Sequence, residues 1–84
     1  MTREELSNNG FELNKITKVY YKKYNKLRIS VNLLQDEYMC TPDELEYEVH
    51  IDNDRYECIG SLIVKSYKEL DAFIKFVDNL FYYD

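Results

Sequence analysis

Eighty-four residues carry 16 acidic against 11 basic side chains, a net charge of −5, with 45% hydrophobic and 15% aromatic content. That apolar bulk is too great for a disordered chain and enough for one modest core, since a chain this short buries roughly 60–65% of the surface it exposes when unfolded. Apolar runs such as Leu62–Val64 fall far short of a membrane span, and Met1-Thr2-Arg3-Glu4-Glu5 lacks the basic-then-apolar order of a secretory signal, so we expect one cytoplasmic domain over residues 1–84.

In chain order, Thr2 and Glu5 have capping-box spacing and predict a short helix over residues 3–8, ended by Asn8-Asn9-Gly10. Ile16–Lys23 is rich in β-branched and aromatic residues and reads as a strand. Leu27, Ile29, Val31 and Leu33 then alternate with Arg28, Ser30 and Asn32, the period-2 signature of a strand with one buried face. A three-residue loop, Tyr24-Asn25-Lys26, would pair Tyr21 with Ile29 and Val19 with Val31. Leu45, Tyr47, Val49 and Ile51 repeat the alternation, with Glu46, Glu48, His50 and Asp52 between them. Pairing these two strands as Leu27–Ile51 and Ile29–Val49 matches their apolar faces. A shift of two residues either way keeps that match and brings Arg28 opposite Glu48 or Asp52.

Asn53-Asp54 reads as a two-residue hairpin turn into the next strand, with Val49 facing Cys58 and Tyr47 facing Gly60. Ser66 and Glu69 form a second capping box ahead of a helix over 67–82. Its stripe is Tyr67, Leu70, Ile74, Val77 and Phe81, widened by Phe73 and Leu80. The expected fold is therefore α+β: a four-stranded antiparallel meander with the C-terminal helix packed on one face and a short helix at the N-terminus. The other face is left to water or a partner.

Charge is unevenly spread. Residues 15–28 carry six cations and no acid, and residues 36–57 sum to −8. Within the second block Glu44, Glu46, Glu48 and Asp52 would project from one side of one strand, with Asp54 and Glu57 close by. Alternate strand residues stand about 6.6 Å apart, and a DNA strand presents a phosphate every ~3.4 Å. Such a row supplies phosphate-like charge at coarser spacing and can occupy the basic groove of a DNA-binding protein. Alternating polar residues are also what any wet sheet face shows. A second candidate surface is Phe76, Leu80, Phe81, Tyr82 and Tyr83, too apolar for one helix face to bury. Pairing of two copies through that helix is one way to cover it. Lys18, Tyr20, Lys22, Tyr24 and Arg28 interleave cations with aromatics, a pattern suited to stacking single-stranded nucleic acid, although the chain as a whole is acidic.

Catalysis is not expected. His50 is the lone imidazole, with acids rather than a nucleophile for neighbours, and it reads as a solvent-facing histidine paired to a carboxylate. Cys40 and Cys58 lack the further ligands of a zinc site, and read as a loop thiol and a buried thiol respectively, with a single disulfide between them as the alternative. Asp52-Asn53-Asp54 opens like a calcium loop, but Glu57 and Ile63 stand where the glycine and closing glutamate belong. No glycine-rich phosphate loop is present, and neither cofactor nor metal is expected. Abundant Lys, Asn, Tyr and Ile with scarce Ala, Gly, Pro and Arg suit coding from an AT-rich genome, such as a low-GC bacterium, its plasmid or its phage. In size, charge and compositional bias the chain is similar to small acidic α+β proteins of phages and mobile elements that block host nucleases or repair enzymes. That likeness is one of class, carried by no motif. It implies a non-enzymatic inhibitor of a basic nucleic-acid-binding protein, and the charge pattern offers Glu44, Glu46, Glu48, Asp52, Asp54 and Glu57 as the surface that meets it. It would bind neither nucleic acid directly nor a membrane. The alternatives are an antitoxin-like or structural module that binds through Phe76 and Tyr82 of the helix, and a single-strand binder that uses the Lys/Tyr hairpin.

Overall fold

A computed structural model describes residues 1–36 and 38–82. The Thr2 hydroxyl accepts from the Glu5 amide and the Glu5 carboxylate accepts from the Thr2 amide, both at 3.1 Å, which opens helix α1 (Arg3–Asn8) as the spacing predicts. It closes on Gly10, whose φ of +89° suits only glycine; Gly10 and Phe11 donate to the carbonyls of Ser7 and Leu6. This cap folds Phe11 back so that it is buried alongside Leu6.

Five strands follow in the order β1 (Glu12–Leu13), β2 (Tyr20–Tyr24), β3 (Leu27–Leu33), β4 (Tyr47–Asp52) and β5 (Cys58–Val64), all antiparallel. The sheet thus has one strand more than the alternation suggests. The expected strand 16–23 is cut short because the Asn14 carboxamide accepts from the amides of Ile16 and Thr17 and closes a turn there. Ile16 is left exposed, Lys18 takes a φ of +63°, and Glu12–Leu13 returns to pair with Tyr20 and Tyr21.

Three registers differ from expectation. The β2–β3 turn has two residues rather than three, since Tyr24 pairs directly with Leu27. A one-residue slip exchanges the faces of a strand. Tyr20, Lys22 and Tyr24 therefore stand on the core side, and Tyr21 and Lys23 on the other. β3 and β4 take the shifted register, Arg28 opposite Asp52 and Ile29 opposite Ile51, which still matches the apolar faces. The β4–β5 turn runs over Asn53–Glu57 rather than two residues, because the Asn53 side chain accepts from the amides of Arg55 and Glu57. Val49 then faces Leu62, and Ile51 faces Gly60, with a bulge before Cys58. Cys58 is consequently exposed rather than buried, while Cys40 lies in the β3–β4 loop as expected, half-buried against the core.

Ser66 and Glu69 cap helix α2 (Tyr67–Tyr82), the Ser66 hydroxyl accepting from the Glu69 amide at 3.2 Å. Leu70, Ile74 and Val77 are buried with Leu27, Ile29, Val31, Val49, Ile51 and Val64 in one cluster, which Met1, Leu6, Phe11, Leu45 and Tyr47 complete. Each such aliphatic side chain contributes about 1.5–3 kcal/mol relative to exposure. Gly60 lets the helix approach closely: a Cβ there would stand 3.2 Å from Phe73 Cζ. Phe81 departs from the predicted stripe and is half exposed. The Tyr47 hydroxyl donates to the Met1 carbonyl at 3.0 Å and ties the start of α1 over the same face. Both helices thus cover one side of the sheet. Among the described residues no helix is long and apolar enough to cross a membrane.

Candidate binding surface: the open face of the sheet

Because the helices share one side, the alternate residues of every strand form an uncovered face opposite them. The registers arrange it in rows. Lys23, Arg28 and Asp52 lie side by side across β2, β3 and β4. Next come Glu12, Tyr21, Ser30, His50 and Ser61, and then Asn32, Glu48 and Ile63. The face therefore grades from basic at one corner, through the acidic strand β4, to an apolar border on β5.

Glu48 and Asp52 lie on this side, as the alternation predicts, with Glu46 immediately before the strand; all three are half-buried. Glu44 does not belong to the strand; it lies in a 3-10 turn, Pro42–Glu44. There the Thr41 hydroxyl donates to its carboxylate at 2.8 Å, and this bond, with a second from the Thr41 amide, holds the Glu44 pKa below its usual value. Asp54 and Glu57 sit exposed in the β4–β5 turn. Glu48 pairs with His50 on its own strand, so the histidine is carboxylate-bound as expected, while Glu57 is too far along the turn to join them. Gln35 extends the β3–β4 ladder by accepting from the Glu46 amide at 2.6 Å and donating to its carboxylate at 3.0 Å. Among the described residues, no lysine or arginine lies within ion-pair distance of Asp43, Glu44 or Glu46.

The basic corner has a construction that the sequence did not suggest. Tyr56, held at a φ of +63° by the Asn53 turn, lays its ring 4.2 Å from the Arg28 guanidinium carbon. Arg28 Nε is buried and makes no hydrogen bond among the described residues. Tyr21 donates to the Glu12 carboxylate at 2.9 Å, and this bond, with the negative charge behind it, raises the tyrosine pKa. With Lys23, Ser30 and Asp52 these residues line an open groove of about 600 Å³. Only the five-residue turn brings Tyr56 over Arg28, which is why sequence spacing gives no sign of it.

The interleaved Lys/Tyr set is divided between two sides. Lys22 turns inward, its ammonium 2.8 Å from the Asn9 carbonyl and 5.5 Å from the Phe11 ring centre, and Tyr20 and Tyr24 pack against the core. On α2, Phe76 is 63% and Leu80 64% exposed. Tyr82 is half-buried with the Lys26 ammonium 5.4 Å from its ring centre; Tyr83 lies outside the described residues. No group of His, Cys, Asp and Glu that could hold a metal ion occurs among the described residues. No protein-family model matches the chain, and neither a curated protein nor a solved structure matches it.

Proposed function

We propose that this chain is a small, acidic, non-enzymatic protein-binding domain that presents the open face of its sheet to a basic surface, of the kind found in the groove of a nucleic-acid-handling protein. The observation that carries the reading is the lodging of Glu48 and Asp52 on interior strand β4, with Glu46 immediately before it, on the side that no helix covers among the described residues. Asp43 and Glu44 add exposed acidic charge in the turn before the strand, and Asp54 and Glu57 in the turn after it. A central strand is rigid, so these carboxylates are pre-positioned, and little ordering entropy opposes their engagement. Charge at such a surface acts mainly on association rate and on the choice of partner. Inhibition of a host nuclease or repair enzyme, as in phage and mobile-element proteins of similar size, is the use this surface suits.

The test is capture of partners on the immobilised protein, with the Glu46→Lys/Glu48→Lys variant as control. The reading expects a captured protein that binds nucleic acid, is released by competing DNA, and is lost with the double reversal. Capture that is indifferent to the reversal would end it. A second reading is favoured by the exposed Phe76, Leu80 and Phe81: a protein-interaction module that works through α2. It expects the charge reversal to be silent and Phe76→Ala to abolish the contact.

A further inference from the structure

The two edges of the sheet are built differently. β1 is two residues long, and the strand behind it carries Lys22 and Lys23, so that edge is short and charged. β5 is seven residues long, Cys-Ile-Gly-Ser-Leu-Ile-Val, without a charge or a proline, and its outer N–H and C=O groups meet no other strand among the described residues. Folded proteins ordinarily shorten, charge or cover such an edge, because it templates pairing with another strand. Here none of these devices is present along Gly60–Val64; the bulge affects only the start of the strand.

The side chains bordering this edge are apolar on both faces. Ile63 is 51% exposed on the open face, and Leu62 is 44% exposed on the helix side. Phe73 rests on Gly60, so the flank of α2 that carries Phe73, Phe76 and Leu80 looks toward β5. The opposite flank, with Asp78 bonded to Asn25 and Tyr82 beside Lys26, looks toward the β2–β3 turn. Backbone edge and apolar helix flank therefore form one continuous surface.

We propose that this surface is occupied by a second copy of the chain, its β5 running antiparallel to the first about a two-fold axis at Leu62. An unpaired edge calls for a strand, and this strand is complementary to itself. Centring on Leu62 uses the whole regular stretch: Gly60 faces Val64 of the other copy, Ser61 faces Ile63, and the two Leu62 side chains meet beneath Phe76 and Leu80. It also sets Lys65 of each copy opposite Ile59 of the other, two residues from that copy's exposed Glu57, so opposite charges stand near both ends of the ladder. The outcome is a continuous sheet with both pairs of helices on the same side. This interface is separate from the acidic face and stands whether or not that face binds a basic partner.

Sedimentation equilibrium of the full chain tests the proposal. The expected mass rises with concentration from that of a 10.2 kDa monomer to its double, and Leu62→Lys, which sets two like charges face to face, weakens dimerisation about tenfold or more. Because Leu62 is nearly half exposed, the variant should keep the circular dichroism of the parent. In a Cys40→Ser/Cys58→Ser background in glutathione redox buffer, Leu62→Cys should form a disulfide dimer, since directly opposed residues lie about 4.5–5.5 Å apart. Ser61→Cys should not pair with itself, being about 8 Å from its counterpart in this register. A monomer at every concentration, a dimer untouched by Leu62→Lys, or crosslinking at Ser61 in place of Leu62 would each overturn the proposal.

Discussion

Gly60 is where helix and sheet come closest, and replacing it measures how well that contact is placed. An added Cβ would stand 3.2 Å from Phe73 Cζ and 3.4 Å from Val77 Cγ2, against a comfortable carbon–carbon separation of about 3.5–4.0 Å. Phe73 is only half-buried, so its ring can yield by the few tenths of an ångström that alanine needs. A glycine in a strand also costs about 0.5–1 kcal/mol of backbone entropy that alanine recovers. The two effects nearly cancel, and Gly60→Ala should alter stability by less than about 1 kcal/mol. Gly60→Val adds two methyl groups that must enter the space between Phe73 and the buried Val77. Overpacking of this kind costs about 1–3 kcal/mol. Urea denaturation of both variants measures the difference, and Phe73→Ala in the Gly60→Val background should recover part of the loss. If Gly60→Val were as stable as the parent, Gly60 would not lie beneath the helix and the β4–β5 register described above would be wrong.

Reversal of Glu46 and Glu48 to Lys should leave the fold intact at a cost of about 1–2 kcal/mol in chemical denaturation. That figure combines the hydrogen bond that the Glu46 carboxylate accepts from the Gln35 side chain with the weaker surface pair of Glu48 and His50; complete unfolding would show that β4 is held by its charges rather than by its apolar side. Glu44, whose pKa is lowered from 4.5 by the Thr41 hydroxyl and then the Thr41 amide, stabilises the folded form above its unfolded pKa and loses that contribution as pH falls through the lower folded value. Thr41→Val should move the Glu44 titration, followed by carboxyl carbon NMR, back toward 4.5; an unmoved titration would remove Thr41 as the cause.

What the sequence disclosed follows from where its pattern was unambiguous. In β3 and β4 aliphatic residues alternate with polar ones, so all eight of Leu27, Ile29, Val31, Val49, Ile51, Leu70, Ile74 and Val77 could be assigned to the core, and all are buried. The alternation fixes only the parity of the β3–β4 register, so the shifted pairing satisfied it equally well. In β2, Tyr-Tyr-Lys-Lys-Tyr carries no alternation, because either parity buries tyrosine stems and one lysine chain. Its face was therefore decided by turn length, which the sequence does not display. β5 is apolar at nearly every position and so was equally silent about register. Its slip traces to one side chain, Asn53, whose hydrogen bonds lengthen the turn from two residues to five and carry Cys58 out to the surface. The acidic row was legible because it is the polar half of the β4 alternation; the Arg28–Tyr56 stack was not, because it depends on that turn.

The acidic face and the β5 edge are compatible as binding surfaces, and the reason is geometric. An edge-to-edge two-fold in an antiparallel sheet runs perpendicular to the sheet, so it keeps the open faces of both copies on one side and all four helices on the other. The acidic strands then lie two positions from the axis on either hand, with β5 of each copy between them. Neighbouring strands are about 4.8 Å apart, so the two carboxylate rows would stand about 14 Å from each other. That separation exceeds the Debye length of about 8 Å at physiological ionic strength, and mutual repulsion of the rows therefore does little to oppose association. The sign of the central interface is set instead by Glu57 and Lys65 at its ends and by uncharged residues between them. Had the acids been carried on β5, the same net charge would have blocked the edge. Their placement one strand inward leaves the edge free to pair while keeping the carboxylates exposed to a basic partner.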